Sequence, residues 1–270
     1  MFPSRDYAET AIIAEIVKHL VEAKTDIEVK HLPNIDFRVT LAAMQTGDVD
    51  MYGSYSGSQF TTVLGQVVTE EWLDPDKVLE YCRVETAKRF NTTLFGPLGF
   101  DNTYAIAVRR DFAEKHKLEK VSDLKSIAPT LTLATDADFL HREEVMSYAN
   151  FVKTYGLKFK KAVAMTYGLM YRAAYVKEVD VIMAYSSDGR IAAMDLKILK
   201  DDLQFFPPYD GIIVVKNETL AAYPELGPVL DMLTGLISQE DIQKMNARAD
   251  VYGHEIADIA RDFLKEKGLI

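Results

Sequence analysis

Strand-like apolar runs alternate with helix-like segments along most of this chain, and this alternation constrains the fold more than any other feature. The runs 179–184 and 212–215 are almost continuously apolar, as in strands buried on both faces. Between such runs, apolar residues recur at helical spacing, as over 12–21. The order predicts an α/β fold with largely parallel sheets, and such folds bind ligands beyond the carboxyl ends of their strands.

The same patterns predict individual elements. Helices are predicted over 12–21, 37–45, 76–90, 111–116, 143–155 and 169–177, and strands over 27–31, 49–52, 105–109, 131–134, 179–184 and 212–215. Gly47 and Gly156 are expected to close two of the helices, and Ser122 to cap another. The tail from Tyr223 is predicted to be almost entirely helical.

Charge and residue usage exclude several functions. The formal net charge of −10 argues against binding to nucleic acid, which requires clustered Lys and Arg. Cys82 is the only cysteine, so an internal disulfide or a thiolate metal cluster is impossible. The five histidines lack the paired spacing of a zinc site, and we expect no metal or other cofactor. No hydrolase elbow, phosphate loop or dinucleotide fingerprint supports the alternative of an enzyme.

Four tyrosines lie where an apolar, strand-like run meets a segment rich in Gly, Pro, Asn, Asp or Ser. They are Tyr55, Tyr104, Tyr185 and Tyr209. Residues at such junctions are usually carried on loops at the ends of elements. Phenol rings that converge from separate loops form an electron-rich box, which attracts a quaternary ammonium through cation–π interactions. The alternative is that each ring is a half-buried core residue.

Several short motifs recur in a fixed order along the chain: Ser4-Arg5-Asp6-Tyr7-Ala8-Glu9-Thr10, Gly47-Asp48-Val49-Asp50, Tyr55-Ser56-Gly57-Ser58, Phe100-Asp101-Asn102-Thr103-Tyr104, Asp138-Phe139-Leu140-His141-Arg142, Tyr185-Ser186-Ser187-Asp188-Gly189-Arg190 and Phe205-Phe206-Pro207-Pro208-Tyr209. Their order and spacing resemble those of the substrate-binding proteins of osmoprotectant ABC importers. That family delivers glycine betaine, carnitine, choline and related quaternary amines, and the resemblance covers nearly the whole chain.

The resemblance implies a two-lobed periplasmic-binding-protein fold of type II, which closes like a clamshell on one solute. Lobe one would comprise 1–105 and 209–270, and lobe two 106–208, with two hinge crossovers near Tyr104 and Tyr209. It also implies an extracytoplasmic location, a monomeric domain and an ABC permease as partner, either as a separate chain or fused in the same polypeptide. The chain begins with a first strand shorter than in relatives, which suggests an excised or detached domain.

The resemblance also assigns roles to individual residues. The four tyrosines fall on the aromatic-cage positions of the family, and Arg142 and Arg5 fall on cationic positions suited to a betaine carboxylate. Ser58 stands where the family often has a Thr that contacts the ligand, and Thr10 stands where many relatives have a polar Gln. Glu9 is a further candidate, because it could receive a hydrogen bond from a donor group of a bulkier ligand. Asn102 is the last candidate, although it is also a turn residue.

Alternatives remain for the residues and for the function. Arg142 could form a surface ion pair with Glu143 or Glu144, and Arg5 could belong to a solvated terminus. The ligand could be glycine betaine, carnitine, proline betaine, choline or a bulkier betaine such as ergothioneine. The same fold could also serve as a sensory module that is not coupled to transport.

Overall fold

The computed structural model describes residues 1–141 and 146–270, which divide into two compact units. Unit 1 comprises Met1–Val67, Pro75–Asp101 and Tyr209–Ile270, and unit 2 comprises Val68–Asp74 and Asn102–Pro208. Up to Asp101, unit 1 contains β1 (Phe2–Pro3), α1 (Ala8–Lys24), β2 (His31–Leu32), α2 (Phe37–Thr46), β3 (Met51–Tyr55), α3 (Ser56–Ser58), a π-helical turn (Gln59–Val63), α4 (Pro75–Phe90) and β4 (Thr92–Phe95).

Unit 2 contains five strands and five α-helices within its described residues. They are β5 (Tyr104–Arg109), α5 (Arg110–His116), β6 (Thr132–Thr135), α6 (Ala137–His141), α7 (Tyr148–Tyr155), β7 (Lys161–Ala164), α8 (Tyr167–Tyr175), β8 (Val181–Tyr185), α9 (Gly189–Ala193) and β9 (Leu196–Leu199), with 3₁₀ turns at Glu70–Trp72, Val121–Ser126 and Ala128–Thr130. Unit 1 then continues with β10 (Gly211–Lys216), α10 (Asn217–Ala222), α11 (Leu226–Asp231), α12 (Gln239–Asp250) and α13 (Ile256–Glu266).

The core of unit 1 is built around helix α1 and a three-stranded sheet. The strand order is β3-β10-β4, and β10 is antiparallel to both neighbours. Apolar side chains of α1, such as Ile12 and Ile16, are fully buried against β3, α11, α12 and α13. Glu9 in the first turn and Lys24 in the last turn match the helix dipole. The sheet and α1 therefore fix the positions at which β3 and β10 end.

Unit 2 is built on a five-stranded mixed sheet in the order β7-β6-β8-β5-β9. Strands β7, β6 and β8 are parallel, whereas β5 is antiparallel to β8 and β9. One buried apolar cluster is rich in phenylalanine, and the other contains the inward face of α8, including Met170 and Tyr171. Tyr104 at the start of β5 is paired in register with Tyr185 at the end of β8.

The α/β prediction is confirmed, but the expectation of largely parallel sheets is wrong. Among the residues that the structure describes, four of the seven strand pairings are antiparallel. Strand direction depends on where the chain re-enters a sheet, and both β5 and β10 are the first strands formed after the chain passes from one unit to the other. Local alternation of strands and helices carries no information on that re-entry.

Local predictions had mixed outcomes. Gly47 and Gly156 close α2 and α7 in the left-handed conformation, with φ of 89° and 61°. Ser122 does not cap a helix, because the 3₁₀ turn there begins one residue earlier and has Lys120 at its N-cap. The strand predicted over 27–31 contains only His31 in a strand, which continues to Leu32. The described part of α7 begins at Tyr148, with Ser147 as its cap.

None of the helices in the described ranges has the length and apolar character needed to cross a lipid bilayer.

Candidate ligand-binding site

Tyr55 ends strand β3 and is held by a buried carboxylate. Its side chain is 6% exposed, and its hydroxyl donates to Glu9, which is 4% exposed in the first turn of α1. The second Glu9 oxygen accepts from Asn246 Nδ2 of α12 at 2.8 Å. Burial, followed by the negative Glu9, raises the pKa of Tyr55 well above its ordinary value. The ring therefore stays neutral in a fixed orientation.

Tyr7 extends this arrangement and was not among the residues predicted from the sequence. Its oxygen lies 3.3 Å from the Tyr55 oxygen, and its side chain is 37% exposed. Burial of the hydroxyl end raises the pKa of Tyr7 above its usual value. Tyr7 lies immediately before α1, at the end of an element, and ligand-binding residues are often found at such positions. This position could have made Tyr7 a candidate site residue from the sequence.

Arg5 lies on the face of an aromatic ring with part of its guanidinium unsatisfied. Its Cζ is 4.0 Å from the centroid of the Phe37 ring. Within the described ranges, its buried Nε and Nη2 atoms have no hydrogen-bond partner. Buried donors without an acceptor cost free energy, and a carboxylate would satisfy them in two parallel bonds. The guanidinium is therefore suited to bind an anionic group. Because these nitrogen atoms are buried, Arg5 does not lie in a solvated terminus, which was the alternative interpretation of the sequence.

Thr10 has a local bonding role. Its hydroxyl accepts from the Arg5 backbone N–H at 3.0 Å and donates to the Tyr7 carbonyl at 3.1 Å. Both bonds fold the segment that carries Arg5 and Tyr7. Thr10 therefore supports two candidate ligand residues, and its own contact with ligand stays a prediction.

Tyr209 opens the third segment of unit 1 and lies against helix α3. A Cβ atom added at Gly57 would come within 2.5 Å of the Tyr209 ring, so the ring rests directly on the glycine. The Asp210 backbone N–H donates to Ser56 Oγ at 3.0 Å, and the Ser56 N–H donates to the Asp210 carbonyl at 2.9 Å. These bonds join the Tyr209 segment to α3, which also carries the half-buried Ser58.

In unit 2, Tyr104 and Tyr185 form a stacked pair. They are opposite each other in the β5–β8 register, and their ring centroids are 5.2 Å apart with an interplanar angle of 16°. Phe139 and Phe206 pack against Tyr104 at 5.8 and 6.3 Å. Both tyrosines are half-buried, so each residue is packed on one side and keeps part of its surface accessible. Burial raises the pKa of Tyr104 to about 12.

A third tyrosine, Tyr167, joins this pair and was not predicted. Its ring centroid lies 4.9 Å from that of Tyr185, and the two oxygens are 3.1 Å apart. Its oxygen also lies 3.5 Å from that of Tyr104 and 3.3 Å from Asp136 Oδ2. Tyr167 begins α8 soon after strand β7, and Asp136 follows β6. The four predicted tyrosines were chosen because they lie at the ends of strand-like runs, and extending this search to every tyrosine and acidic residue would have found Tyr167 and Asp136.

The predicted site residues thus fall into local groups. Arg5, Glu9, Thr10 and Tyr55 lie together in unit 1, where Tyr209 lies on the α3 segment that carries Ser58. Tyr104 and Tyr185 lie together in unit 2, and Asn102 is half-buried two residues before Tyr104. Arg142 lies outside the described residues, so its role stays a prediction.

Comparison with known proteins identifies the class. The family model described as "Substrate binding domain of ABC-type glycine betaine transport system" matches residues 2–266. The carnitine transport binding protein OpuCC of Listeria monocytogenes is 38% identical over 260 residues, which are 96% of this chain and 83% of that protein. A crystal structure described as a glycine betaine/carnitine/choline ABC transporter aligns with a TM-score of 0.92 at 36% identity, and covers 99% of this chain and 98% of that one.

A fusion protein is also similar. The ergothioneine transport permease/ergothioneine binding protein EgtU of Helicobacter pylori is 30% identical over 264 residues, which are 97% of this chain but 46% of EgtU. Fold and matches together define a solute-binding protein of an ABC importer. The chain belongs to the family of substrate-binding domains of ABC-type glycine betaine transport systems.

Membership of this family settles several expectations. The prediction of a transport binding protein and not an enzyme is confirmed. Substrate-binding proteins of ABC importers are extracytoplasmic and work with a permease, so this chain has that location and that kind of partner.

Proposed function

We propose that this chain captures a solute with a quaternary ammonium group, of the betaine or choline class, for delivery to its permease. The observation that carries the proposal is the group of half-buried tyrosines Tyr104, Tyr167 and Tyr185, whose rings lie 4.9–5.2 Å from their neighbours at element ends. A methylated cation cannot donate N–H hydrogen bonds, and it is attracted to such electron-rich faces.

Unit 1 supplies the complementary groups in this proposal. Tyr55 and Tyr209 contribute aromatic faces, and Arg5 offers unsatisfied donors to the carboxylate of a betaine. We propose the same carboxylate role for Arg142, and ligand contacts for Ser58 and Asn102. Glu9 holds Tyr55 in place, and we propose that it also receives a donor group when the ligand is bulkier. We also propose that units 1 and 2 operate as the two lobes of the binding protein, with Tyr104 and the whole of β5 in lobe two and not divided at the 105/106 boundary expected from the sequence.

The proposal also covers the oligomeric state of the domain and a second candidate ligand. The domain is proposed to act as a monomer, whether its permease is a separate chain or is fused as in EgtU. The similarity to EgtU also favours a second candidate ligand, ergothioneine, which carries a methylated cation on a bulkier body.

The test is isothermal titration calorimetry with glycine betaine, carnitine, proline betaine, choline and ergothioneine. We expect the wild-type chain to bind at least one of them, and Tyr185→Ala to raise its Kd about 5- to 30-fold, as expected for loss of a partly desolvated cation–π contact. Tyr175→Ala, in the same unit but 61% exposed on α8, is the matched control and should leave the Kd unchanged. Absence of binding to every quaternary amine would refute the proposal.

A further inference from the structure

Unit 2 contains a tyrosine–carboxylate pair outside the motifs of the predicted site. Tyr167 and Asp136 come from different elements, α8 and the segment after β6, and their oxygens lie 3.3 Å apart. We propose that Tyr167 is a ligand-contacting residue and that Asp136, which accepts a hydrogen bond from it, shifts the selectivity of the site towards ligands of net positive charge, in opposition to the carboxylate preference of Arg5. This inference rests on the proposed function.

The direction of the hydrogen bonds supports the pairing. A carboxylate only accepts, so the single hydroxyl proton of Tyr167 is donated to Asp136 Oδ2. The Tyr167 oxygen is then left to accept from the Tyr185 hydroxyl, 3.1 Å away. The other Asp136 oxygen accepts from the Phe139 backbone N–H at 2.8 Å, which holds the carboxylate in place. The tyrosines therefore form a donor chain that ends on one negative charge.

The position of Tyr167 supports a direct contact with the ligand. Its ring lies 4.9 Å from that of Tyr185, at an angle of 33°, and Tyr104 stacks on Tyr185 at 5.2 Å. All three residues are half-buried, and the hydroxyl oxygens of Tyr104 and Tyr185 lie within 3.5 Å of that of Tyr167, so a ligand bound at the Tyr104–Tyr185 pair would lie close to Tyr167. Donation to a carboxylate increases the electron density of the Tyr167 ring, which strengthens its attraction for a cation.

The charge of Asp136 gives the preference for cations. A choline-like ligand carries one positive charge, so the Asp136 carboxylate attracts it without opposition. A betaine also carries a carboxylate, which Asp136 repels, and the two effects partly cancel. Removing this charge should therefore weaken binding of choline more than binding of glycine betaine.

The experiment compares Tyr167→Phe, Tyr167→Ala, Asp136→Asn and the double variant Asp136→Asn/Tyr167→Phe by calorimetry with choline and glycine betaine. The amide introduced by Asp136→Asn would keep an acceptor for the Phe139 N–H but lose the charge. We expect Tyr167→Ala to raise the Kd for both ligands about 5- to 30-fold. Asp136→Asn should raise the Kd for choline about fivefold and that for glycine betaine less than about twofold. The double variant should show less than the product of the single effects.

Matched controls exist in the same unit. Tyr175→Phe removes a hydroxyl from the exposed end of α8, and Asp111→Asn removes a surface charge paired with Lys177. Neither should change the choline-to-betaine ratio of Kd values. Circular dichroism and urea unfolding of each variant show whether it is folded, and Tyr167→Phe keeps the test valid if Tyr167→Ala does not fold.

Two results would overturn the inference. Unchanged affinities for Tyr167→Phe and Tyr167→Ala would exclude a ligand contact, and equal losses for choline and betaine in Asp136→Asn would exclude charge selection. Either result leaves the proposed function standing if Tyr185→Ala still weakens binding. If the wild-type chain binds no quaternary amine, the proposed function fails, and this inference fails with it.

Discussion

At the scale of single residues, Arg5 is the clearest case of a side chain arranged for a group other than its protein neighbours. Its guanidinium lies 4.0 Å from the Phe37 ring centroid, while two of its buried nitrogen atoms have no partner in the described part of the chain. Such donors are costly in the free protein and gain most when an acceptor arrives. Under the proposed function, Arg5 is therefore expected to distinguish ligands that carry a carboxylate from those that do not.

We expect Arg5→Ala to raise the Kd for glycine betaine about tenfold or more, since a charge-assisted hydrogen bond contributes roughly 1.5–3 kcal/mol. The Kd for choline, which has no carboxylate, should change far less. Titration calorimetry with both ligands measures the ratio, with Arg38→Ala on the exposed face of α2 as the charge-matched control. Equal losses for the two ligands would remove the carboxylate role.

Residue-level prediction succeeded for features that a short stretch of sequence encodes. Tyr55, Tyr104 and Tyr185 were predicted at strand ends because an apolar run followed or preceded by turn residues is a local signal. Tyr167 and Asp136 could not be paired in this way, because their contact depends on the order of β6, β7 and β8 in the sheet. The same holds for Asn246, which reaches Glu9 from 237 residues away.

At the scale of elements, helix α3 is a platform for Tyr209. The Tyr209 ring rests on Gly57, where a side chain of any size would overlap it, and two bonds between Ser56 and Asp210 fix the segment. A glycine is required here for close approach of the ring and not for an unusual backbone angle. The position of the Tyr209 ring is therefore fixed by helix α3.

We expect Gly57→Ala to displace the Tyr209 ring and raise the Kd for quaternary amines about tenfold, in the range of a lost cation–π contact. Gly227→Ala on α11, where an added Cβ meets Phe95 at an ordinary 3.8 Å, is the control and should leave binding unchanged. Calorimetry on Gly57→Ala/Tyr209→Ala completes the test. A further loss in the double variant, beyond that of Tyr209→Ala, would show that Gly57 acts elsewhere.

Most element positions followed from periodicity, whereas strand direction did not. Helix α2 was predicted to within one residue because its apolar pattern and Gly47 are local. The antiparallel pairing of β10 with both β3 and β4 is set by contacts between segments more than 100 residues apart. No local pattern specifies such pairings.

At the scale of the whole molecule, several tyrosines keep their protons to unusually high pH. Burial raises the pKa of Tyr52 and of Tyr104 to about 12, and that of Tyr55 well above its ordinary value. In the unfolded chain these groups titrate near pH 10. Between about pH 10 and 12 the folded protein therefore holds more protons than the unfolded chain.

This difference sets the sign of the pH dependence. The stabilisation from these tyrosines is fully present below about pH 10 and is lost as the pH rises towards 12, since the unfolded state then binds fewer protons. We expect the free energy of unfolding in urea to fall between about pH 10 and 12. Tyr52→Phe, which removes one such group, should show a shallower fall, and an identical slope in both proteins would contradict the assignment.

The strand order of unit 1 has a consequence for biosynthesis. Its central strand β10 is encoded after the whole of unit 2, so β3 and β4 leave the ribosome without the partner that joins them. Unit 2, by contrast, has all of its residues once Pro208 has been translated. The three-stranded sheet of unit 1 therefore cannot form in full until the chain up to Lys216 has been synthesised, whereas all residues of unit 2 are present earlier.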